Sequence, residues 1–542
     1  MSPLRTIAVD LVPLLPGGDN GGAKIFTIEL LRTLAKLHPE TKFVLFTQTK
    51  SHDELASLDC ANVSRLLVWG TKAKPSTREW LSTGGKGALK VPVTLADRLR
   101  YVSRNLLGRP ITPSLPRQID ADLLFCPFTA PLFYDVDIPT VCVVYDLQYK
   151  SYPQFFSSDE ASQRERNFNN AARQSSAIAV ISNYVRNAVA ETGMISSERV
   201  FTIHIRLPYR LPQVKPSYAV QILRRFDIRG REYFFYPANF WRHKNHEMLL
   251  TGFLMARARG LLDRIKLVFT GAPCERMNEL GAAVDMLGLK EYVVFAGFVS
   301  RTDFAALMEN CLGVVFPSLY EGFGMPIIEA MAASCPVTCS DKTSLPEVAG
   351  DAALPFDPRI PAQVCDAIMR IATDEKLRMT LVDRGVRQAS FFSRTAQMAD
   401  EYWTVFENAI LNIRAELSLQ GVHDDGWSAP AIVLGYPRDR SERFVDVELH
   451  VPEWLPIKRF KATVRNSAAR RTTRHAIAAG ESLTLHIPIG TESGRLVIEI
   501  TPSFRPSDAW GNDDGRELSV MVKKLLMRTD NSSIVMFPRA SQ

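Results

Sequence analysis

Short apolar runs alternate with amphipathic segments over residues 5–413 of this chain. The runs at 6–11, 42–47 and 233–237 are rich in apolar residues, which is typical of strands buried on both faces. Apolar residues recur at helical spacing between such runs, as in 23–37. Strands that alternate with helices predict parallel sheets built from βαβ units, so the expected fold class is α/β.

The period of the pattern changes near the C-terminus. Val445, Val447 and Leu449 alternate with polar residues, and the run 483–489 does the same. A period of two predicts half-buried strands. We therefore expect residues 425–542 to form an all-β sandwich domain.

Proline spacing and helical periodicity predict how the α/β part is divided. The stretch 206–212 contains two prolines and predicts a crossing between an N-terminal domain, 1–210, and a second domain, 211–394. A helical run at 395–416 is expected to cross back and complete the first domain. Three domains agree with the roughly two to four that a chain of 542 residues suggests.

Composition narrows the class of protein. The hydrophobic fraction is 46%, and no apolar run approaches the roughly 18 residues expected of a membrane span. The first residues lead directly into a strand-like run without a signal-peptide pattern, so a cytoplasmic location is expected. The eight cysteines are scattered singly without a C-x-x-C pair, which predicts reduced thiols and no metal site.

Basic residues are concentrated in one segment of a chain whose net charge is +7. Residues 72–117 contain ten lysines and arginines, with Leu95, Leu99 and Val102 at helical spacing among them. Such a segment could rest on an anionic membrane or guide a lipid-diphosphate acceptor; the alternative is an ordinary solvated helix. Aromatic positions for base stacking are not interleaved with the charges, so nucleic-acid binding is not expected.

One Gly-rich stretch carries the strongest candidate chemistry. An apolar run leads through Gly322 and Gly324 into a helix that is expected to begin near Pro326, and Glu321 and Glu329 flank the loop. Amides at a helix N-terminus bind anions, and glycine allows a ligand to approach the backbone closely. A phosphate with a polyol beside it would use all of these groups. The alternative is a solvated loop with two capping carboxylates.

The residues of this stretch, E-G-F-G-M-P-I-I-E, resemble the E-x7-E signature of retaining GT-B glycosyltransferases of family 4. The resemblance extends over both α/β domains. It implies a GT-B fold, in which two Rossmann-like domains face a cleft, here followed by the β-sandwich. It also implies that Glu321 lies by the hydroxyls of the transferred sugar and that Glu329 holds the nucleotide ribose. The backbone of Phe323, Gly324 and Met325 would meet the sugar and the phosphates.

Three other stretches resemble donor-binding parts of the same family. Lys244 and Arg242 follow an apolar strand, and their charges can neutralise the β-phosphate as the glycosidic bond breaks. Their stretch resembles the family's phosphate clamp ending in Lys-Asn; an exposed basic turn is the alternative. Gly21 and Gly22 resemble a loop that faces the interdomain cleft. Phe298 lies in a stretch that resembles the loop whose backbone meets the nucleotide base.

The acceptor side is predicted from a second resemblance. Residues Tyr145 to Gln148, Y-D-L-Q, resemble the family's H-D-L-Q element, which lines the acceptor side near the reacting carbon. Tyr145 replaces the usual histidine and cannot supply an imidazole. Asp146 is therefore the better functional candidate, and its alternative role is to cap the following turn.

The leading interpretation is an enzyme. It would transfer a hexose, with retention and without a metal or other cofactor, from a nucleoside-diphosphate sugar to a hydroxyl of a glycan or lipid-linked glycan. Similarity of the Y-D-L-Q and F-W-R-H-K-N-H stretches to polysaccharide mannosyltransferases favours GDP-mannose and O-antigen synthesis at the inner face of the cell membrane; rhamnose or glucose donors are alternatives. A non-catalytic glycan-binding protein is the competing class. The β-sandwich would bind glycan, bind a partner glycosyltransferase subunit, or only stabilise the enzyme.

Overall fold

The computed structural model describes most of the chain: residues 4–17, 20–70, 114–135, 138–209, 211–415, 418–423, 425–436, 442–466, 471–491, 494–510, 514, 516–529 and 533–537. The basic segment predicted at 72–117 lies outside the described residues except for 114–117. Within the described ranges, no helix is both long enough and apolar enough to cross a membrane.

The first sheet has seven parallel strands in the order β3-β2-β1-β4-β5-β6-β7. These are β1 Thr6–Asp10, β2 Lys42–Gln48, β3 Val63–Trp69, β4 Leu123–Cys126, β5 Thr140–Val144, β6 Ala177–Val180 and β7 Val200–Thr202. The helices are Gly21–Leu37, Thr49–His52, Leu115–Gln118, Gln148–Ser151, Ser158–Gln174 and Asn183–Glu191, with 3-10 turns at Glu54–Leu58, Pro153–Phe155 and Ser197–Arg199. The strand order reverses between β1 and β4, which creates a crevice at the carboxyl ends of the strands.

The second sheet has six parallel strands in the order β10-β9-β8-β11-β12-β13. These are β8 Tyr233–Pro237, β9 Lys266–Thr270, β10 Val293–Phe295, β11 Gly313–Phe316, β12 Val337–Ser340 and β13 Ala353–Phe356. The helices are Pro216–Arg225, His246–Ala258, Glu275–Met286, Arg301–Asn310, Met325–Ala332, Leu345–Ala349, Pro361–Thr373 and Glu375–Phe391, with a 3-10 turn at Arg242–Lys244. The reversal between β8 and β11 places the ends of these two strands at a second crevice.

One long helix, Thr395–Ala415, returns from the second domain to the first. Its Tyr402 is fully buried, and the Tyr402 ring lies 5.8 Å from that of Phe125 in β4. Arg206 of the interdomain linker pairs with Glu401 of the helix at 2.6 Å. The helix and the linker therefore tie the two α/β domains together at one side.

The C-terminal part consists of two antiparallel sheets, in the orders β14-β15-β20-β17-β18 and β19-β16-β21-β22. The strands are β14 Ser418–Val422, β15 Ser428–Tyr436, β16 Arg443–His450, β17 Arg459–Asn466, β18 Arg471–Ala478, β19 Ser482–Pro488, β20 Gly494–Thr501, β21 Met521–Thr529 and β22 Ser533–Phe537, and a short helix covers Pro506–Trp510. Val445, Val447 and Leu449 of β16 are fully buried between the sheets, as their alternation predicts. The predicted fold class is confirmed, whereas the exact domain bounds stay predictions.

Candidate functional site

The loop between β11 and the helix Met325–Ala332 is held by hydrogen bonds to its own backbone. Ser344 donates its hydroxyl to the carbonyl oxygens of Glu321 and Phe323, at 2.9 and 3.1 Å. The N–H of Glu321 donates to Thr343 Oγ1 at 3.1 Å. Gly324 has a φ of +103°, and a Cβ there would lie 2.5 Å from the Leu345 side chain, so this position needs glycine. The loop therefore presents Glu321 in a fixed position.

Lys244 and Glu321 form an ion pair at the carboxyl ends of the two central strands of the second domain. Lys244 Nζ lies 2.6 Å from Glu321 Oε1, and the two side chains are only 11% and 12% exposed. The turn that carries Lys244 is fixed by Asn245, which adopts a φ of +60° and donates its side-chain amide to the carbonyls of Pro317 and Pro358. The arrangement places an ammonium group, suited to phosphate, beside a carboxylate, suited to sugar hydroxyls.

The neighbours of Lys244 differ in charge. Burial, together with the charge of Lys244, lowers the pKa of His243 to about 4, so His243 is neutral at neutral pH. Arg242 lies exposed on the same 3-10 turn. The local positive charge of this turn therefore comes from Lys244 and Arg242.

Asp146 is a residue of the first domain that lies near the Lys244–Glu321 pair. It follows β5, and its Oδ1 accepts the N–H of Gln148 at 3.0 Å. Burial raises the pKa of Asp146; the hydrogen bond from Gln148 opposes that shift, and the charges of Glu321 and Lys244 also act on it. Asp146, Lys244 and Glu321 thus lie within electrostatic reach of one another, although they come from two domains.

The predicted acceptor residues on either side of Asp146 turn into the first domain. The ring of Tyr145 packs edge-on against Phe26, with ring centres 6.1 Å apart, and burial raises the pKa of Tyr145. Gln148 is also buried. The backbone of Tyr145 lies against the loop between β11 and the helix Met325–Ala332, because a Cβ at Gly322 would lie 2.1 Å from the carbonyl oxygen of Tyr145. An acceptor role for Tyr145 and Gln148 stays a prediction.

The glycine loop predicted in the first domain approaches Met325, at the beginning of the helix Met325–Ala332. Gly21 adopts a φ of +49° where its helix begins, and a Cβ at Gly22 would lie 2.4 Å from Met325 Cε. Lys24 pins this loop: its buried Nζ donates to the carbonyls of Leu15 and Gly17 and lies 2.6 Å from Glu54 Oε1. Sequence reasoning missed Lys24, because a lysine on a helix is usually a surface residue; its position two residues after the glycine pair was the available signal.

Glu329 lies on the side of the helix Met325–Ala332 that faces the interdomain linker. It lines a cavity of about 280 Å³ together with Tyr209, Phe323, Met325 and Phe392. Partial burial raises the pKa of Tyr209 to about 12; Glu309, through its charge and a hydrogen bond, adds to that shift, and the charge of Glu329 does so as well. Sequence reasoning treated residue 209 only as part of a linker and therefore missed its position beside Glu329.

Phe298, predicted near the nucleotide base, follows β10 at the carboxyl edge of the second sheet. Its side chain is 81% exposed. Gly297 beside it has a φ of +68° and accepts the N–H of Gly271 at 3.0 Å. The turn is thereby fixed while the Phe298 side chain faces solvent.

Direct hydrogen bonds join the two α/β domains next to the candidate site. Ser182 of the first domain donates its hydroxyl to the carbonyl of Gly322 at 2.8 Å. Glu347 of the second domain accepts the N–H groups of Asn183 and Tyr184, at 2.8 and 3.2 Å, and contacts His204 Nε2 at 2.6 Å. These contacts hold the carboxyl edges of the two sheets against each other. Sequence reasoning did not assign Ser182 or Glu347 a role.

Metal ligation has no visible site in the described part of the chain: no cluster of three or more histidine, cysteine, aspartate or glutamate side chains is placed to hold an ion there. Metal-independent chemistry stays a prediction, because this geometry does not test it.

Two Rossmann-like sheets that meet at their carboxyl edges define the GT-B class of fold, and solved structures agree. HepE from Anabaena, in complex with UDP and glucose, aligns with a TM-score of 0.54 at 16% identity, covering 75% of this chain and all of that protein. A glycosyltransferase from Rickettsia africae aligns at 0.53 and 13% identity, over 75% and 99% of the two chains. These similarities show the fold.

Residues 223–388 match the family "glycosyl transferases group 1" and form a domain of that family. The predicted resemblance to GT-B glycosyltransferases is therefore confirmed. The match includes Lys244, Glu321 and Glu329, which are the residues on which the prediction rests.

Curated relatives carry mannosyltransferase names. O-antigen chain mannosyltransferase B of Escherichia coli is 26% identical over 253 residues, which are 47% of this chain and 66% of that protein. The serotype-specific mannosyltransferase WbdA of Escherichia coli is 30% identical over 292 residues, 50% of this chain and 35% of that protein. The chain thus spans just under two thirds of the first relative and about one third of the second.

Proposed function

We propose that this protein is a retaining glycosyltransferase that transfers mannose from GDP-mannose to a hydroxyl of a glycan or lipid-linked glycan in O-antigen or related polysaccharide synthesis. The observation that carries the proposal is the mostly buried Lys244–Glu321 pair at the carboxyl ends of β8 and β11, within electrostatic reach of Asp146. Mannosyltransferase relatives and the UDP complex of HepE support a nucleotide-sugar donor.

Donor binding follows from the second domain. Lys244, with Arg242 on the same turn, would neutralise the β-phosphate, and the amides of Phe323, Gly324 and Met325 would meet the phosphates and sugar. Glu329 would hold the ribose hydroxyls, Phe298 would border the base, and Gly21 and Gly22 would approach the diphosphate from the first domain.

Transfer requires that the bond between the sugar C1 and the phosphate oxygen breaks while the acceptor oxygen bonds to C1 and the proton of the acceptor hydroxyl passes to the departing phosphate. Negative charge develops on the departing phosphate, and the nearby Lys244 ammonium stabilises it in a mostly buried environment. Glu321 would accept hydrogen bonds from sugar hydroxyls, and Asp146 would face the reacting carbon from the acceptor side. The retained stereochemistry and the absence of a cofactor are parts of this proposal, as is a location at the inner membrane face with possible partner glycosyltransferase subunits.

A screen of nucleotide sugars tests the proposal. Purified full-length protein is incubated with GDP-mannose, UDP-glucose or dTDP-rhamnose and an oligomannoside acceptor, and the product mass is measured. We expect a mass gain of one hexose with GDP-mannose, accompanied by GDP release. Transfer from another nucleotide sugar would show that this sugar nucleotide, and not GDP-mannose, is the donor.

A non-catalytic glycan-binding protein is the second candidate, and the packing of Tyr145 against Phe26 favours it, because no imidazole occupies that place. Glycan binding without hydrolysis or transfer of any donor in the same screen would select this candidate.

A further inference from the structure

Positive charge is concentrated in a second part of the sequence, within the β-sandwich. Between Trp454 and Gly480 the chain contains seven lysines and arginines and no aspartate or glutamate. Their summed charge equals the net charge of +7 of the whole protein. The basic residues are Lys458, Arg459, Lys461, Arg465, Arg470, Arg471 and Arg474.

The paired strands β17 and β18 carry several of these cations on one surface. Phe460, Ala462 and Val464 of β17 point into the sandwich core, so the residues between them point outward. The outward cations that the structure describes define the basic face, which consists of Arg459, Lys461 and Arg465 of β17 and Arg474 of β18.

Small residues separate the cations across the basic face. Ala476 lies opposite Lys461, and Thr463 lies opposite Arg474. Cations therefore do not face each other directly across the two strands, which limits their mutual repulsion. Arg459, Lys461 and Arg474 are exposed. Glu499 of the adjacent strand β20 faces the same surface and pairs with Arg465, so three cations remain in excess of the described pairs.

The other residues that the structure describes do not cover the basic face. On the same outer side of this sheet, Val433 of β15 and Val497 of β20 are buried, and both strands contact the helix Thr395–Ala415. Strands β17 and β18 lie beyond that contact. The other sheet has mixed charge: Asp446 pairs with Arg528 and His486. Segregated positive charge is thus a property of the β17–β18 pair.

We propose that the basic face is a docking surface for a membrane that contains anionic lipids. A sheet surface is broad enough to meet several lipid headgroups at once, and Arg459 and Lys461 are separated by about 6.6 Å along the strand. Each exposed cation gains from the negative surface potential of such a membrane. The described outward positions between the cations are threonine and alanine, which offer no aromatic platform for nucleic-acid bases.

The basic face consists of residues outside the segment 72–117 and outside the proposed donor site, so its failure would leave the proposed transferase intact. Docking there would hold the β-sandwich on the lipid surface and keep the catalytic domains near a lipid-linked acceptor.

Vesicle sedimentation tests the proposal with full-length protein. Vesicles of phosphatidylcholine, with and without phosphatidylglycerol, are compared at low and high salt. The double variant Lys461→Gln, Arg474→Gln removes two cations from the basic face. Lys523→Gln, Lys524→Gln removes two exposed cations from β21 of the other sheet and is the matched control.

We expect salt-sensitive binding that requires phosphatidylglycerol and falls about five-fold per neutralised cation of the basic face, or about 25-fold for the double variant. The control variant should bind within about two-fold of wild type, and donor hydrolysis should be unchanged in both.

Four results would overturn the proposal. The first is no binding to anionic vesicles by wild type, and the second is an equal loss in both double variants. The third is a loss seen only when Arg98, Arg100 and Arg104 are changed to glutamine, which would assign docking to 72–117. The fourth is binding of RNA in the absence of lipid, with the same dependence on the variants, which would assign the basic face to nucleic acid instead.

Discussion

Lys244 and Glu321 lie 77 residues apart in sequence, and their side chains meet at 2.6 Å. The sequence predicted each as a functional residue, because each sits in a recognisable motif after a strand. It did not predict that they pair, since a pairing depends on the loop path set by Asn245 and Ser344. Lys24 and Tyr209 were missed for a related reason: neighbouring segments bury Lys24 and bring Tyr209 to the cavity that Glu329 lines, and local patterns do not report such neighbours.

Replacement of Lys244 tests the charge at the phosphate. Lys244→Ala should lose about 3 kcal/mol of transition-state stabilisation, roughly a 150-fold fall in kcat/KM, because a cation next to a developing oxyanion is removed. Lys244→Arg should recover part of the loss. Lys290→Ala, at a 76% exposed side chain, serves as the control. Unchanged kcat/KM in a folded Lys244→Ala variant would make this lysine structural.

At the scale of elements, strand order explains why the predicted residues converge. Both sheets reverse their order beside the first strand of the domain. In the second domain the two strands at the reversal, β8 and β11, lead into Lys244 and Glu321, whereas Asp146 follows β5, one strand beyond the reversal of the first sheet. Alternation of strands and helices predicted the parallel sheets, and the resemblance to GT-B glycosyltransferases implied the cleft between them. The hydrogen bonds from Ser182 and to Glu347 were not predictable, because the relative placement of two domains leaves no periodic signal in either.

Two glycines provide a matched test of the contact between domains. A Cβ at Gly322 would meet the backbone carbonyl of Tyr145 at 2.1 Å, whereas a Cβ at Gly22 would meet only the flexible end of Met325. Gly322→Ala must therefore separate the loops and should lower kcat/KM on the order of 100-fold, the effect of a displacement near 1 Å. Gly22→Ala should cost less than about ten-fold. Equal effects, with melting temperatures preserved, would show that the loops do not need to touch.

Glu347 should make the contact between domains sensitive to acid. Burial alone would raise its pKa, but hydrogen bonds from His204 and from the N–H groups of Asn183 and Tyr184 outweigh burial and lower it. A lowered pKa means that the contact is fully stabilising above the ordinary value of about 4.3 and is lost as the pH falls through the lowered value.

Fluorescence energy transfer between labels on the two α/β domains measures this effect. Wild type should open as the pH falls through the lowered pKa of Glu347, whereas Glu347→Gln should be more open at neutral pH and show little further change. The same acid profile in both proteins would assign the opening to other groups.

At the scale of the whole molecule, the β-sandwich is joined to the catalytic domains by the helix Thr395–Ala415, which contacts β15 and β20. The change of periodicity near residue 421 predicted the sandwich itself. Its packing against that helix was not predictable, since the outward-facing Val433 and Val497 look like ordinary strand residues in sequence.

Truncation after residue 416 separates the possible roles of the sandwich. We expect the shortened chain to fold and bind nucleotide, with lower solubility because the helix loses its apolar cover. If the sandwich holds the acceptor or its membrane, transfer to long or lipid-linked acceptors should fall while transfer to short acceptors and donor hydrolysis persist. Equal loss on both acceptors would make the sandwich structural, and no loss would leave it without a catalytic role.

The central claim is that the loop from Glu321 to Glu329 binds the donor and acts on the transferred sugar. Steady-state kinetics of Glu321→Gln and Glu329→Ala with the donor found in the screen test it most directly, because the two carboxylates are assigned to different parts of that donor. Glu329→Ala should raise KM with kcat nearly unchanged, and Glu321→Gln should chiefly lower kcat. Wild-type kinetics in both folded variants would contradict the account.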